Sequence, residues 1–106
     1  MDPLHTSITF EQARVRAENE ARSHLKYFLK DESTPLLEER YLDAECCWMF
    51  FRNRAIVVPP EQSLRTGAYA VSKRGSLRYI ADFSDDFAKL QAYLLTMSNY
   101  FRDRGE

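Results

Sequence analysis

The segment Cys46–Phe51, CCWMFF, sets six apolar residues in a row. A strand that is wet on one side alternates apolar and polar positions. Here Cys46, Trp48 and Phe50 point one way and Cys47, Met49 and Phe51 the other, so both faces leave water. Tryptophan and phenylalanine favour the extended chain, and a strand is predicted over about Cys47–Arg52. A strand with two dry faces needs two covers, which limits what the remaining chain can build around it.

At 106 residues the chain is one domain, able to bury roughly two-thirds of its unfolded surface around one core. Two amphipathic helices are expected, one toward each end of the chain. Thr9 followed by Gln12 matches a capping box. Phe10, Ala13, Ala17, Ala21, Leu25 and Phe28 then recur at helical spacing, predicting an amphipathic helix over about Phe10–Leu29. Glu11, Arg14, Arg16, Glu18, Glu20, Arg22 and Lys26 populate its wet sides and read as a solvated face. Near the other end, Phe87, Leu90, Leu94, Met97 and Phe101 form a second stripe. Ser84 is the expected N-cap there, with Asp85 and Asp86 favouring the first turn through the helix dipole.

The middle of the chain reads as sheet. Pro35 and the polar run KDESTP end the first helix. LLEERYLDAE fits either period. A helix would group Leu37, Tyr41 and Ala44. A strand would put Leu37, Glu39, Tyr41 and Asp43 on one face and Glu38, Arg40 and Leu42 on the other. The strand is preferred, because a tight turn at Asp43–Glu45 then pairs it with CWMFFR. Pro59 and Pro60 stop any ladder, and PEQSLRTG suits a short helical turn with Gly67 at its C′ position. AYAVSKRGSLRYI reads as a hairpin, with Gly75 supplying the positive φ of a type I turn with a G1 bulge. The predicted architecture is α+β: an antiparallel sheet of three to five strands packed against an N-terminal and a C-terminal amphipathic helix.

Chemistry is hard to find in this pattern. Three glycines cannot form a phosphate-binding loop, and no nucleophile elbow or metal-binding helix motif occurs. Glu38 and Glu39 point opposite ways on a strand. Asp82, Asp85 and Asp86 could be imagined as a metal cluster but read more simply as the start of a helix. Cys46 and Cys47, adjacent and extended, read as reduced structural thiols, and neither His5 nor His24 forms a zinc pattern with them. No catalytic residue, metal site or cofactor is expected. A net charge of −1 lacks the basic excess of a nucleic-acid binder. MDPLHTSITFEQ has no leader pattern and no apolar run approaches the roughly 18 residues of a membrane span, so a cytoplasmic protein without membrane contact is expected.

The run WMFF, then Gly67, then YAVSKRGSLRYI and a polar turn into the last helix resemble the immunity protein 35 family of bacterial toxin systems. Trp48, Phe50, Phe51, Gly67, Val71, Lys73 and Gly75 carry the resemblance, over about residues 47–93; AIVVPPEQSLRT departs from it. The resemblance implies an antitoxin that binds and neutralises a cognate toxin or effector, with no catalytic residues. A small effector chaperone or adaptor would share these features. An apolar pocket lined by Trp48, Phe50, Tyr69 and Tyr79, serving a ligand or an enzyme, is a third possibility.

The partner surface follows from how the two-sided strand is covered. If both helices lie on the Trp48–Phe50 face, Cys47, Met49 and Phe51 need another cover, either the toxin or a second copy of the chain. Met49 and Phe51 would then bind the partner, rimmed by Arg52, Arg54, Arg40 and Glu38. One helix on each face is the alternative, and it closes the surface.

Overall fold

The computed structural model describes residues 7–106; His5 and most of the segment read for a leader lie outside the described residues. Strands β1 (Leu37–Asp43), β2 (Cys47–Arg52), β3 (Ala68–Ser72) and β4 (Leu77–Ile80) form one antiparallel sheet in the order β1-β2-β3-β4. Helices α1 (Phe10–Leu25) and α2 (Phe87–Arg104) complete an α+β domain. None of the helices among the described residues is long and apolar enough to cross a membrane.

Each helix covers its own face of the sheet. Trp48, Phe50, Tyr69, Val71 and Leu37 pack against Ala13, Ala17, Ala21 and Leu25 of α1. Cys47, Met49, Phe51, Ala68, Ala70 and Ile80 pack against Leu90, Leu94, Met97 and Phe101 of α2. The expectation of both helices on one face is therefore wrong, as is the expectation that the α2 stripe meets Trp48 and Phe50. The single core is in fact two, one on each side of the sheet. Side-chain size accounts for the division. Alanines at every fourth position let α1 approach the large rings of Trp48, Phe50 and Tyr69. On the other side the alanines belong to β3, and the bulky residues project from α2.

Local chemistry sets the element ends. Thr9 and Gln12 form the predicted capping box, with Thr9 Oγ1 accepting from Gln12 N at 3.1 Å and Gln12 Oε1 accepting from Thr9 N at 2.9 Å. Regular α-helix stops at Leu25, short of Leu29; a 3₁₀ turn, Lys26–Phe28, carries the chain away. Asp86, not Ser84, caps α2 by accepting from Lys89 N at 3.1 Å, and Ser84 instead donates to Asp82 from both its N–H and its hydroxyl. Starting two residues later, at Phe87, the helix leaves that residue 73 % exposed, so it does not join the buried stripe. Gly75 has φ 102° in the β3–β4 turn, as predicted. The turn Pro60–Arg65 also forms as predicted, but Gly67 serves a different need from a left-handed C′ position. A Cβ there would strike the Ile80 carbonyl and come within 2.7 Å of the Tyr79 ring.

The two cores should fail independently. Leu94→Ala on the α2 side should cost about 2–5 kcal/mol. Ala17→Leu on the α1 side should cost about 1–3 kcal/mol by overpacking. In urea melts the double variant should lose the sum to within about 0.5 kcal/mol, because the sheet separates the two sites. A strong departure from additivity would contradict two separate cores.

Candidate functional site

The antiparallel order gathers the long connections at one end of the sheet. Leu37 is registered with Arg52, Phe51 with Ala68, and Ala68 with Ile80, so the N-termini of β1 and β3 and the C-termini of β2 and β4 lie together. Segments 29–36, 53–67 and 81–86 all run there. The opposite end has the tight turns after Asp43 and Ser72.

Of the predicted partner-binding residues, Met49 and Phe51 are 0 % exposed beneath α2 and cannot meet a partner. The charged four do come together at the loop end. Glu38 takes Arg40 Nε at 3.2 Å and Arg54 Nε at 3.6 Å. Arg54 Nη2 reaches Asp85 at 3.9 Å. Arg40 also donates to Ser84 Oγ at 2.8 Å and lays its guanidinium 4.0 Å from the centre of the Phe51 ring. One arginine thus closes the α2-side core and begins the surface cluster. Arg52, on the α1 side, donates from Nη1 to the Ile56 carbonyl at 2.8 Å, bracing the start of segment 53–67.

Arg52 and Arg54, with Thr66, Asp82, Ser84 and Asp85, line a polar cleft of about 320 Å³. Two buried side-chain atoms among the described residues lack a hydrogen-bond partner, Glu38 Oε1 and Arg52 Nε, and both belong to this end. Such atoms are rare in folded proteins and mark places where packing has not been optimised for stability alone. Sequence reasoning missed three large apolar side chains left in water, Val57 and Leu64 in segment 53–67 and Phe87 at the start of α2: Val57 is 73 % exposed, Leu64 89 % and Phe87 73 %. Leu64 had a legible signal, as an isolated apolar residue in the polar run EQSLRT, whereas Val57 was masked by its place in the apolar run AIVV. Phe87 was hidden by its fit to the helical stripe.

The three acidic residues considered as a metal cluster have separate tasks. Asp82 holds Ser84, Asp85 faces Arg54, and Asp86 caps α2. Of the imagined pocket, Trp48, Phe50 and Tyr69 are covered by α1, while Tyr79 is partly exposed beside Leu64 and Gly67. A Glu20–His24–Tyr69 chain was not anticipated. His24 Nε2 lies 3.5 Å from Glu20, and Nδ1 lies 3.1 Å from the Tyr69 hydroxyl. Burial pushes the Tyr69 hydroxyl well above the usual phenol range. Because Tyr69 is fully enclosed, the chain of contacts satisfies a buried hydroxyl and does not present it to a substrate.

Comparison of the chain with protein-family models, curated proteins and solved structures finds no match.

Both cysteines are free thiols; Cys47 is enclosed and Cys46 half-buried at the β1–β2 turn. Burial is the main reason that the Cys47 thiol is pushed up to about 12 from an ordinary 9.0. The unfolded chain therefore loses this proton first as pH rises, and stability should fall from about pH 9 upward. Tyr69, also raised by burial, adds to the fall at higher pH. Urea melts from neutral to alkaline pH should show this decline, and Cys47→Ala should lessen its slope. Iodoacetamide on the folded protein should label Cys46 ahead of Cys47 by mass spectrometry, and equal labelling would contradict the enclosure of Cys47.

Proposed function

We propose that this chain is a non-enzymatic protein-binding domain acting as a bacterial immunity protein, which binds a cognate toxin and neutralises it in the cytoplasm. The observation that carries this reading is the make-up of the loop end. Arg40, Arg52 and Arg54 are interleaved there with Glu38, Asp82 and Asp85, and Phe87, the residue after the Asp86 cap, is exposed. Arginine and aromatic residues are the types that anchor protein interfaces. Mixed charge fits a partner of matching pattern and disfavours nucleic acid, whose phosphates would meet Asp82 and Asp85. The resemblance of WMFF and YAVSKRGSLRYI to immunity protein 35 supports the same reading. A chaperone for an unfolded effector would need an open apolar groove. Here both apolar sheet faces are occupied by the chain's own helices.

In this reading the toxin docks across segments 53–67 and 81–86 and its active site is blocked by occlusion. The domain has no reaction to perform; its task is to present Arg54 and Phe87 on a scaffold that does not yield.

The test is co-expression with the toxin domain encoded in the neighbouring gene, read as growth, together with calorimetry on the purified pair. The wild-type chain should protect. Arg54→Glu combined with Phe87→Asp should weaken binding by at least about 2 kcal/mol, roughly thirtyfold, and abolish protection. Both residues are largely exposed, so the variant's stability should stay within about 1 kcal/mol of wild type. A wild-type chain that neither binds nor protects rules out the immunity reading. A folded variant that binds as tightly as wild type moves the interface elsewhere.

A further inference from the structure

The two edges of the sheet are guarded differently. β1 carries Glu38, Glu39 and Arg40 and a register break between Leu37 and Tyr41, features that discourage another strand from pairing. β4 pairs with β3 in unbroken register, and Arg78 is its one charged residue.

The ladder's phase decides what β4 offers outward. At the turn, Ser72 N donates to the Ser76 carbonyl at 2.7 Å and Gly75 N donates to the Ser72 carbonyl at 2.9 Å. Hydrogen-bonded and non-hydrogen-bonded pairs alternate along an antiparallel ladder. Counting from Ser72, Ala70–Arg78 and Ala68–Ile80 are the hydrogen-bonded pairs, so the backbone groups of Leu77 and Tyr79 face away from β3. Arg78 Nη1 donates to the Leu77 carbonyl at 3.0 Å, a side-chain donor standing in for the N–H of a neighbouring strand. Its charge is matched by Glu106, whose carboxylate oxygens lie 2.7 and 2.9 Å from Nη2. Beside the end of β4 a hollow of about 390 Å³ is lined by Leu64, Gly67, Tyr79, Ile80 and Ala81.

We propose that β4 is a self-association edge, at which a second copy of this chain adds its own β4 antiparallel to the first. Two-fold symmetry and the outward phase leave two registers, centred on Arg78 or on Tyr79, and repulsion between facing arginines selects the second. Tyr79 lies opposite the partner's Tyr79, Arg78 opposite the partner's Ile80, and Leu77 opposite the partner's Ala81. The edge is self-complementary in this register, because no like charges face each other. Leu77 shares the α1 side of the sheet with Tyr79, so it enters the partner's hollow between Leu64 and Tyr79. The incoming backbone N–H takes over the Leu77 carbonyl from Arg78, which keeps its Glu106 contact. The contact is small, which makes this a weak dimer that leaves the loop-end arginines free, and it does not depend on the toxin-binding reading.

Sedimentation velocity from about 10 μM to about 1 mM should show a monomer passing to a dimer. In a mixed isotope-labelled sample, an interchain NOE should join the Hα of Arg78 to that of the partner's Ile80, the closely approaching pair of the new ladder. Leu64→Glu, at an exposed position, should leave the monomer folded and weaken the dimer by about tenfold or more. The proposal is overturned by a chain that stays monomeric across the range. It is equally overturned by a dimer whose interchain NOEs lie elsewhere, or by one indifferent to Leu64→Glu.

Discussion

The structure depends on the burial of β2 from both sides. Met49, Phe50 and Phe51 are each 0 % exposed, and side chains of this size contribute roughly 1.5–3 kcal/mol apiece when fully removed from water. No edge strand could bury so much on both faces, and β2 lies between β1 and β3. Small residues make this possible. Ala13, Ala17 and Ala21 bring α1 down onto Trp48 and Phe50, while Ala68 and Ala70 leave room beside Met49 and Phe51 for Leu94 and Met97. A large residue at any of these alanines would lift a helix and reopen one face of β2.

This double closure decides where function can reside. With both faces consumed, the remaining surface is the sheet's ends, its edges and the outer sides of the helices. The longest connections meet at one end, where chain length and polarity are free of the ladder's demands. Arg40 joins the two regimes, with its guanidinium on the Phe51 ring and its donors on Glu38 and Ser84. Tyr79 does similar work for segment 53–67. Its hydroxyl donates to the Leu64 carbonyl at 2.6 Å and accepts from Gly67 N at 2.7 Å. That close approach explains Gly67 better than a helix cap does, since any side chain would push the segment off Tyr79 and Ile80.

Local features were legible in the sequence because their causes are local. The Thr9–Gln12 box, the alternation of β2, the strand reading of LEERYLD and the Gly75 turn each depend on residues close together in the chain. The side of the sheet taken by each helix was not legible from periodicity, which identifies an apolar stripe and is silent about what it meets. Residue volume carried the missing signal: an alanine stripe suits large aromatic rings, and a Leu–Met–Phe stripe suits an alanine-rich strand. The misplaced start of α2 has a similar cause. Ser84 and Asp86 are both good caps, and the contest was settled by Asp82, distant neither in sequence nor in space, which engages Ser84 and leaves Asp86 to begin the helix. Glu38, Arg40, Arg52 and Arg54 were singled out through a mistaken premise about Phe51. They cluster all the same, because the register that buries Phe51 also places Arg52, Arg54 and Glu38 at one end.

The two ends of the sheet are held by different contacts. At the turn end, Ser72 Oγ donates to the Glu106 carbonyl at 2.7 Å and Arg74 Nη1 to the Gly105 carbonyl at 3.0 Å, while Arg78 clasps the Glu106 carboxylate. These contacts tie the residues that follow α2 to the β3–β4 hairpin, two through main-chain carbonyls and one between side chains. At the loop end the ion pairs of Arg54 with Glu38 and Asp85 join side chains alone and are long, at 3.6 and 3.9 Å. Exposed pairs of that kind add little to stability. Substituting Arg54, Asp85, Val57 or Phe87 therefore leaves the two cores intact. A domain built this way can change the side chains of its loop end while the double burial of β2 continues to define the fold.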